Sequence, residues 1–258
     1  APGSLTLSTS KCFIEKGGTV TLSGGAIDDD EDPLTFHWTA TAGSFTPSSA
    51  TGSSVQWTAP ATPGTETITM AVTDEIETVT KTQTITVCDL VPSSITSSRT
   101  IANTGAVYIV RNSNLVDIVS TATLTIEPGV TIVFDETSGG FEASGRIVAE
   151  GTPSERIRFR GNACGTGSDL WEGIYLEGMS GHSEAIFRNV DLTASKNGIQ
   201  VRDGASLTLD RCAIYDNSST GIAVLTAGSI AHILSSDIWD NGKGVEIERH
   251  YEVDSFRR

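Results

Sequence analysis

The sequence predicts an all-β protein in two parts: an antiparallel sandwich over residues 1–90 and a solenoid of short stacked strands over 91–258. Three observations predict it. Up to Val87, β-branched and polar residues alternate in short runs. That is the period of a half-buried strand. Beyond Cys88 the apolar runs shorten and are broken by Gly, Asn and Asp, and no helical period lasts ten residues. Finally, Gly198-Ile199, Gly221-Ile222 and Gly244-Val245 recur at intervals of 23 residues. A fixed period in the low twenties with several short strands inside it marks a solenoid.

The sandwich runs come in order as "LTLS", "TVTLSG", "LTFHWTA", "VQWTA", "TITMAVT" and "VTKTQTITV". Turn residues separate them at Gly17-Gly18, Gly24-Gly25, the acidic stretch Asp28–Asp32 and Thr62–Thr65. Strands of this length and spacing read as two packed antiparallel sheets. Trp38 stands mid-strand and is the expected core anchor. Asp28, Asp30 and Asp32 sit at alternate positions of one loop, where their oxygens can converge on a hard cation such as Ca²⁺. The competing reading is a solvated hairpin tip. Four cysteines fit an oxidising compartment and permit three pairings. Cys12 near the first strand and Cys88 just past the last are the candidate disulfide, provided those strands run side by side.

"GGTVTLSGGAIDDDEDPLTFHWTATAGSF" and "VQWTAPATPGTETITMAVTD" resemble the PKD-type immunoglobulin-like module of bacterial and archaeal surface proteins. The resemblance covers roughly residues 4–88 and rests on Asp28-x-Asp30-x-Asp32-x-Leu34-x-x-x-Trp38 and on the closing Val72-Thr73-Asp74. Two departures stand out: the acidic turn lacks the usual Gly, and no "GDG" follows the Trp. The resemblance implies that Asp74 joins the acidic turn in holding a structural calcium.

After the linker-like "DLVPSSITSSRT" come "ATLTIEPGVTIVFD", "GRIVAEGTPSERIRFRG", "WEGIYLEG" and "SEAIFRNVDL". Aligning the repeat residue by residue matches Phe187, Leu209 and Ile233, then Val190, Cys212 and Ser236, then Leu192, Ile214 and Ile238, then Ser195, Asn217 and Asn241. Like residues then stack about 4.8 Å apart. Ile214 and Ile238 point inward, and Asn217 and Asn241 form a turn ladder of hydrogen-bonded amides. Cys212 falls on an apolar column and reads as a small buried hydrophobe rather than a partner for Cys164. Leucine-rich repeats share the period, but the Leu-x-x-Leu-x-Leu phrase is missing.

Leu124–Ile132 ("LTIEPGVTI"), Ala149–Phe159 ("AEGTPSERIRF") and Trp171–Ile174 ("WEGI") are similar to phrases of right-handed parallel β-helices of the pectate-lyase-like superfamily. This resemblance covers about residues 98–250 and implies the fold more than any activity. Trp171 and Tyr175 belong to its packing.

The Gly-His-Gly turn and Arg-x-Lys phrase of polygalacturonase-like enzymes are absent: His182 lies in "GHS", His232 in "AHI", and "RIRF" lacks the Lys. An enzyme acting on acidic polysaccharide would instead use Asp191 and Asp237, two rungs or roughly 9–10 Å apart. That separation suits an inverting pair of carboxylates. The neighbouring outward column is Thr193, Tyr215 and Trp239. Tyr215 and Trp239 side by side, flanked by Asp216, Asp237 and Asp240, form a candidate sugar-stacking platform.

Net charge is −15, so nucleic acid and anionic membrane surfaces are unfavourable partners. No run of 18 apolar residues is present, so no helical membrane insertion is expected. "APGSLTL" reads as the start of a mature secreted chain, and the small number of coils as a piece of a larger surface protein. An open solenoid end invites self-association. The expectation is a non-catalytic, extracellular or cell-surface binding or spacer protein directed at polysaccharide or cell-surface glycan. The alternatives are a polysaccharide lyase or glycoside hydrolase, and an architectural stalk or assembly subunit.

Overall fold

A computed structural model of the chain describes residues 1–111, 115–135, 139–162, 171–178 and 183–248. The named elements are all β-strands, and the chain divides into two compact units.

The first unit comprises Ala1–Leu90 together with Ala106–Ile109 and the stretch from Asn162. Its strands are β1 (Pro2–Thr9), β2 (Phe13–Glu15), β3 (Thr19–Asp28), β4 (Thr35–Ala40), β5 (Ser44–Thr46), β6 (Ser54–Thr58), β7 (Gly64–Thr73) and β8 (Thr78–Leu90). One antiparallel sheet runs β1-β3-β6-β5. Opposite it, β4, β7 and β8 pair antiparallel, and β2 joins β8 in parallel. Tyr108 and Ile109 of β11 (Tyr108–Val110) also pair with β8 in parallel, at Asp89 and Leu90.

Period-two patterning places one face of each strand inside. Val20 and Leu22 of β3, Val55 and Trp57 of β6, and Ile68, Met70 and Val72 of β7 meet Trp38 and Ile85 in one core. Each such side chain contributes about 1.5–3 kcal/mol on burial. The two buried indoles keep their polar atoms bonded: Trp38 Nε1 donates to Gly52 O at 2.8 Å, and Trp57 Nε1 to Ala42 O at 3.1 Å. Trp38 is thus the anchor its position predicts, and Trp57 is a second one.

The Cys12–Cys88 pairing is overturned. Glu15, not Cys12, lies beside Cys88 in the β2–β8 register. Three extended residues, roughly 10 Å, separate Cys12 from that place, beyond the ~7 Å reach of a disulfide between Cα atoms. Cys12 is disulfide-bonded. Cys88 keeps a buried thiol that donates to Thr86 O at 3.6 Å. Cys164 and His182 lie outside the described residues, as does the tail from 249.

The second unit is the solenoid, built of parallel strands in three columns. The first column is β9 (Ser94–Ile95), β12 (Leu115–Ile118), β15 (Gly140–Ala143), β18 (Gly173–Glu177), β21 (Ile199–Arg202), β24 (Thr220–Val224) and β27 (Lys243–Ile247). The second is β10 (Arg99–Ile101), β13 (Thr123–Ile126), β16 (Arg146–Glu150), β19 (Glu184–Arg188), β22 (Ser206–Asp210) and β25 (Ile230–Leu234). The third contains β14 (Thr131–Phe134), β17 (Ile157–Gly161), β20 (Val190–Thr193), β23 (Ala213–Tyr215) and β26 (Asp237–Trp239).

Registers match the repeat alignment. Phe187 pairs with Leu209 and Leu209 with Ile233; Leu192 pairs with Ile214 and Ile214 with Ile238. Inside, aromatic rings pass from coil to coil. Phe134 stacks on Trp171 at 3.9 Å and meets Phe141 edge-on at 5.5 Å, and Phe159 contacts Phe187 at 5.9 Å. The turn ladder is also present. Asn217 Oδ1 accepts from Ser195 N at 3.0 Å and Ser195 Oγ at 2.6 Å, while Asn217 Nδ2 donates to Asn241 Oδ1 at 2.8 Å.

The backbone passes so closely at the start of the first-column strands that side chains are excluded. A Cβ on Gly198 would lie 2.0 Å from Gly221 O, and one on Gly173 would lie 2.6 Å from Gly198 O. Both glycines also hold positive φ, +55° and +121°, which side-chain-bearing residues resist. The glycine period read from the sequence therefore marks the sites where one coil touches the next. On the last coil, Ile230, Leu234, Val245 and Ile247 are exposed.

Candidate functional site

The outward side of the third column brings together most of the predicted surface residues. Inward residues Leu192, Ile214 and Ile238 are flanked on each strand by outward ones, so Thr193, Tyr215 and Trp239 pair in register on the outside. The Tyr215 and Trp239 rings stack with centroids 4.5 Å apart and 7° between planes. The strand spacing of about 4.8 Å imposes this, because side chains in one parallel register lie one rung apart. Trp239 remains 42% exposed, and a shallow concavity lined by Asp237, Ile238 and Trp239 opens beside it.

Asp216 and Asp240 directly follow Tyr215 and Trp239. Both are exposed and take positive φ, +55° and +49°, where the chain turns inward to the Asn217–Asn241 ladder. Aspartate tolerates that conformation better than most residues. Asp237 lies on the outward column with Asp191, with Ala213 between them in register.

The two aspartates considered for catalysis have different surroundings. Asp191 Oδ1 lies 2.6 Å from Arg156 Nη2, and its Oδ2 lies 3.8 Å from Arg158 Nε. Arg156 also donates to Arg211 O at 3.1 Å and Val190 O at 3.2 Å, so it ties three coils together. Asp191 in turn pushes the Arg156 pKa up. A carboxylate held in that way has its oxygens engaged by guanidinium groups rather than open to a substrate. Asp237 is exposed and makes no such pair among the described residues.

Sequence reasoning missed a polar cluster on the first column. Tyr175 Oη donates to Glu172 Oε2 at 2.9 Å and accepts from Asn197 Nδ2 at 2.8 Å. Lys196 Nζ reaches Glu172 Oε1 at 3.2 Å. Arg202 lies over the Tyr175 ring, 5.0 Å from its centroid, and bonds Glu177 Oε1 at 3.2 Å and Gln200 Oε1. Burial, reinforced by Glu172, pushes the Tyr175 phenol up to about 12. Burial also raises Glu177. Tyr175 does pack, as its phrase implies, yet its hydroxyl is the hub of a network that spans two coils. Tyr175 lies between inward Ile174 and Leu176, and that alternation was the available signal for an outward hydroxyl.

In the sandwich, Asp28 and Asp74 approach a common cation, the Ala1 amino group, at 3.6 and 3.3 Å. Asp74 Oδ1 accepts from Glu77 N at 2.7 Å and Ile76 N at 2.9 Å, and these bonds hold its carboxyl below the usual carboxylate range. Asp28 Oδ1 accepts from Asp30 N at 2.9 Å, and its buried Oδ2 has no hydrogen-bond donor. Asp30 and Asp32 stay on the exposed turn. Among the described residues no three acidic, histidine or cysteine side chains gather as metal ligands. Of the four aspartates, Asp28 and Asp74 thus meet at one cation, while Asp30 and Asp32 lie on the turn.

Comparison with protein families matches two stretches of the chain. Residues 4–87 match the PKD domain, and residues 155–254 match the right handed beta helix region. The chain joins a PKD domain to a right-handed β-helix. No curated protein and no solved structure matches it. A PKD domain followed by a β-helix fits an extracellular, surface-type protein. The Tyr215–Trp239 face lies within the β-helix match.

Proposed function

We propose that this is a secreted or cell-surface glycan-binding protein, without catalytic activity, whose β-helix presents the Tyr215–Trp239 stack to sugar rings. The observation that carries this reading is the stacked pair itself, at 4.5 Å and 7°, with Trp239 42% exposed next to a concavity. An exposed aromatic face offers apolar contact to the C–H face of a sugar, and nearby carboxylates accept from its hydroxyls. Asp237 lines that concavity, and Asp216 and Asp240 follow the two rings in sequence, for the second role. Enzymatic action on acidic polysaccharide is less well supported, because Arg156 and Arg158 already engage Asp191. Calcium, where it binds, belongs to the Asp28–Asp74 pair and serves the PKD domain's rigidity.

A glycan array probed with the full chain, with and without calcium, tests the reading beside an assay for new reducing ends or unsaturated uronates. Binding without product, lost in Trp239→Ala with the fold intact by circular dichroism, is the expected result. Product formation would replace the binding role with an enzyme. Absence of binding to every glycan would leave the β-helix as a stalk.

A further inference from the structure

Several outer carboxylates of the β-helix are neutralised by arginines. Asp191 pairs with Arg156 at 2.6 Å, Asp210 with Arg188 at 3.1 Å, Glu184 with Arg146 at 2.8 Å, and Glu177 with Arg202 at 3.2 Å. The carboxylates that neighbour the aromatic stack in sequence are not among these pairs. Asp216, Asp237 and Asp240 are all exposed, and none is ion-paired to a described residue. The nearest basic residue in sequence, Lys243, is engaged by Glu246 at 2.6 Å. Three exposed carboxylates, unpaired among the described residues, thus lie within two residues of the stacked rings in sequence, in a chain whose net charge is −15.

Resting on the glycan-binding reading above, we propose that the ligand is a cationic amino sugar, a hexosamine polymer with unacetylated, protonated amines. Three physical effects select it. The Trp239 face that Tyr215 does not cover attracts an ammonium group through the ring quadrupole as well as contacting the sugar's apolar face. The three carboxylates add charge-assisted hydrogen bonds to the same amine. A uronate or sulfated sugar meets like charge at the rim and in the field of the whole molecule. A neutral hexose is accepted through stacking and hydroxyl contacts alone, without the electrostatic share.

The test compares four oligosaccharides of equal length by isothermal titration at pH 5.5: glucosamine, N-acetylglucosamine, glucose and galacturonate oligomers. The full chain is used beside Trp239→Ala and the triple variant Asp216→Asn, Asp237→Asn, Asp240→Asn. Asn also accepts the positive φ at 216 and 240, so the triple variant keeps the backbone. The glucosamine oligomer is expected to bind roughly three- to tenfold more tightly than the glucose oligomer. That margin should shrink in 0.5 M salt and vanish in the triple variant, while Trp239→Ala abolishes binding of both. Equal affinity for glucosamine and N-acetylglucosamine, tight binding of galacturonate, or a preference that survives in the triple variant would overturn this inference and leave the platform standing. Binding unaffected by Trp239→Ala, or absent for all four, would remove the platform as well.

Discussion

Asn217 is buried at 1% exposure, and its carboxamide works in two directions along the stack. Its oxygen takes two bonds from Ser195, and its nitrogen donates to Asn241. Asn217→Ala leaves a buried hydroxyl and a backbone N–H without their acceptor. It should cost roughly 1–3 kcal/mol in chemical denaturation; a loss indistinguishable from zero would mean the ladder is dispensable. Tyr175 makes a pH prediction. Its folded pKa, about 12, lies above the ordinary tyrosine value. The fold therefore favours the neutral phenol, and the sign follows by linkage. The contribution is intact below about pH 10 and lost as pH rises towards 12. Tyr175→Phe should lower stability at neutral pH by about 1 kcal/mol through its two lost bonds, yet flatten the decline between pH 10 and 12. An unchanged slope would contradict the raised phenol. The Asn ladder was legible because it repeats with the period. The Glu172–Tyr175–Asn197–Arg202 network was not, because its members come from different positions of different coils.

Among the elements, the first-column strands are the most tightly constrained, since the backbone of one coil touches the next where they begin. Gly198 and Gly204 separate conformational strain from crowding. Both have positive φ, but a Cβ at Gly204 meets nothing within 4 Å, whereas one at Gly198 strikes Gly221 O. Gly204→Ala should cost about 1–2 kcal/mol through backbone strain alone. Gly198→Ala should add roughly 1–3 kcal/mol of overpacking. Equal thermal shifts for the two variants would mean that coil contact at Gly198 is unimportant. The sandwich strands were legible from their alternation down to Trp38, but the disulfide was not. Strand order in a sandwich does not follow from the pattern of any one strand, and β2 meets β8 three residues away from where the Cys12–Cys88 pairing requires. The acidic turn failed as a four-aspartate set for a related reason. Spacing along the loop puts Asp28, Asp30 and Asp32 close in sequence, yet the β7–β8 turn brings Asp74 to Asp28 alone.

The molecule as a whole is strongly acidic, and its field acts on every ligand before any contact forms. It should pass unretained over a polyanion matrix such as immobilised heparin at 50 mM salt; retention there would contradict the proposed exclusion of anionic glycans. Both halves of the fold were readable because each writes its geometry as a period: two residues for the sandwich strands, and twenty-two to twenty-four for the coils. The face of the β-helix followed from those coils, since register alone carries Tyr215 onto Trp239. Its charge pattern did not, because arginine partners such as Arg156 reach across coils from positions that no period marks. The account as a whole depends on that register. A double-mutant cycle in thermal stability with Tyr215→Ala, Trp239→Ala and the combined variant measures it most directly. Stacked rings predict a coupling of about 0.5–1.5 kcal/mol. Losses that add to within about 0.3 kcal/mol would show that the rings do not meet, and the proposed glycan platform would go with them.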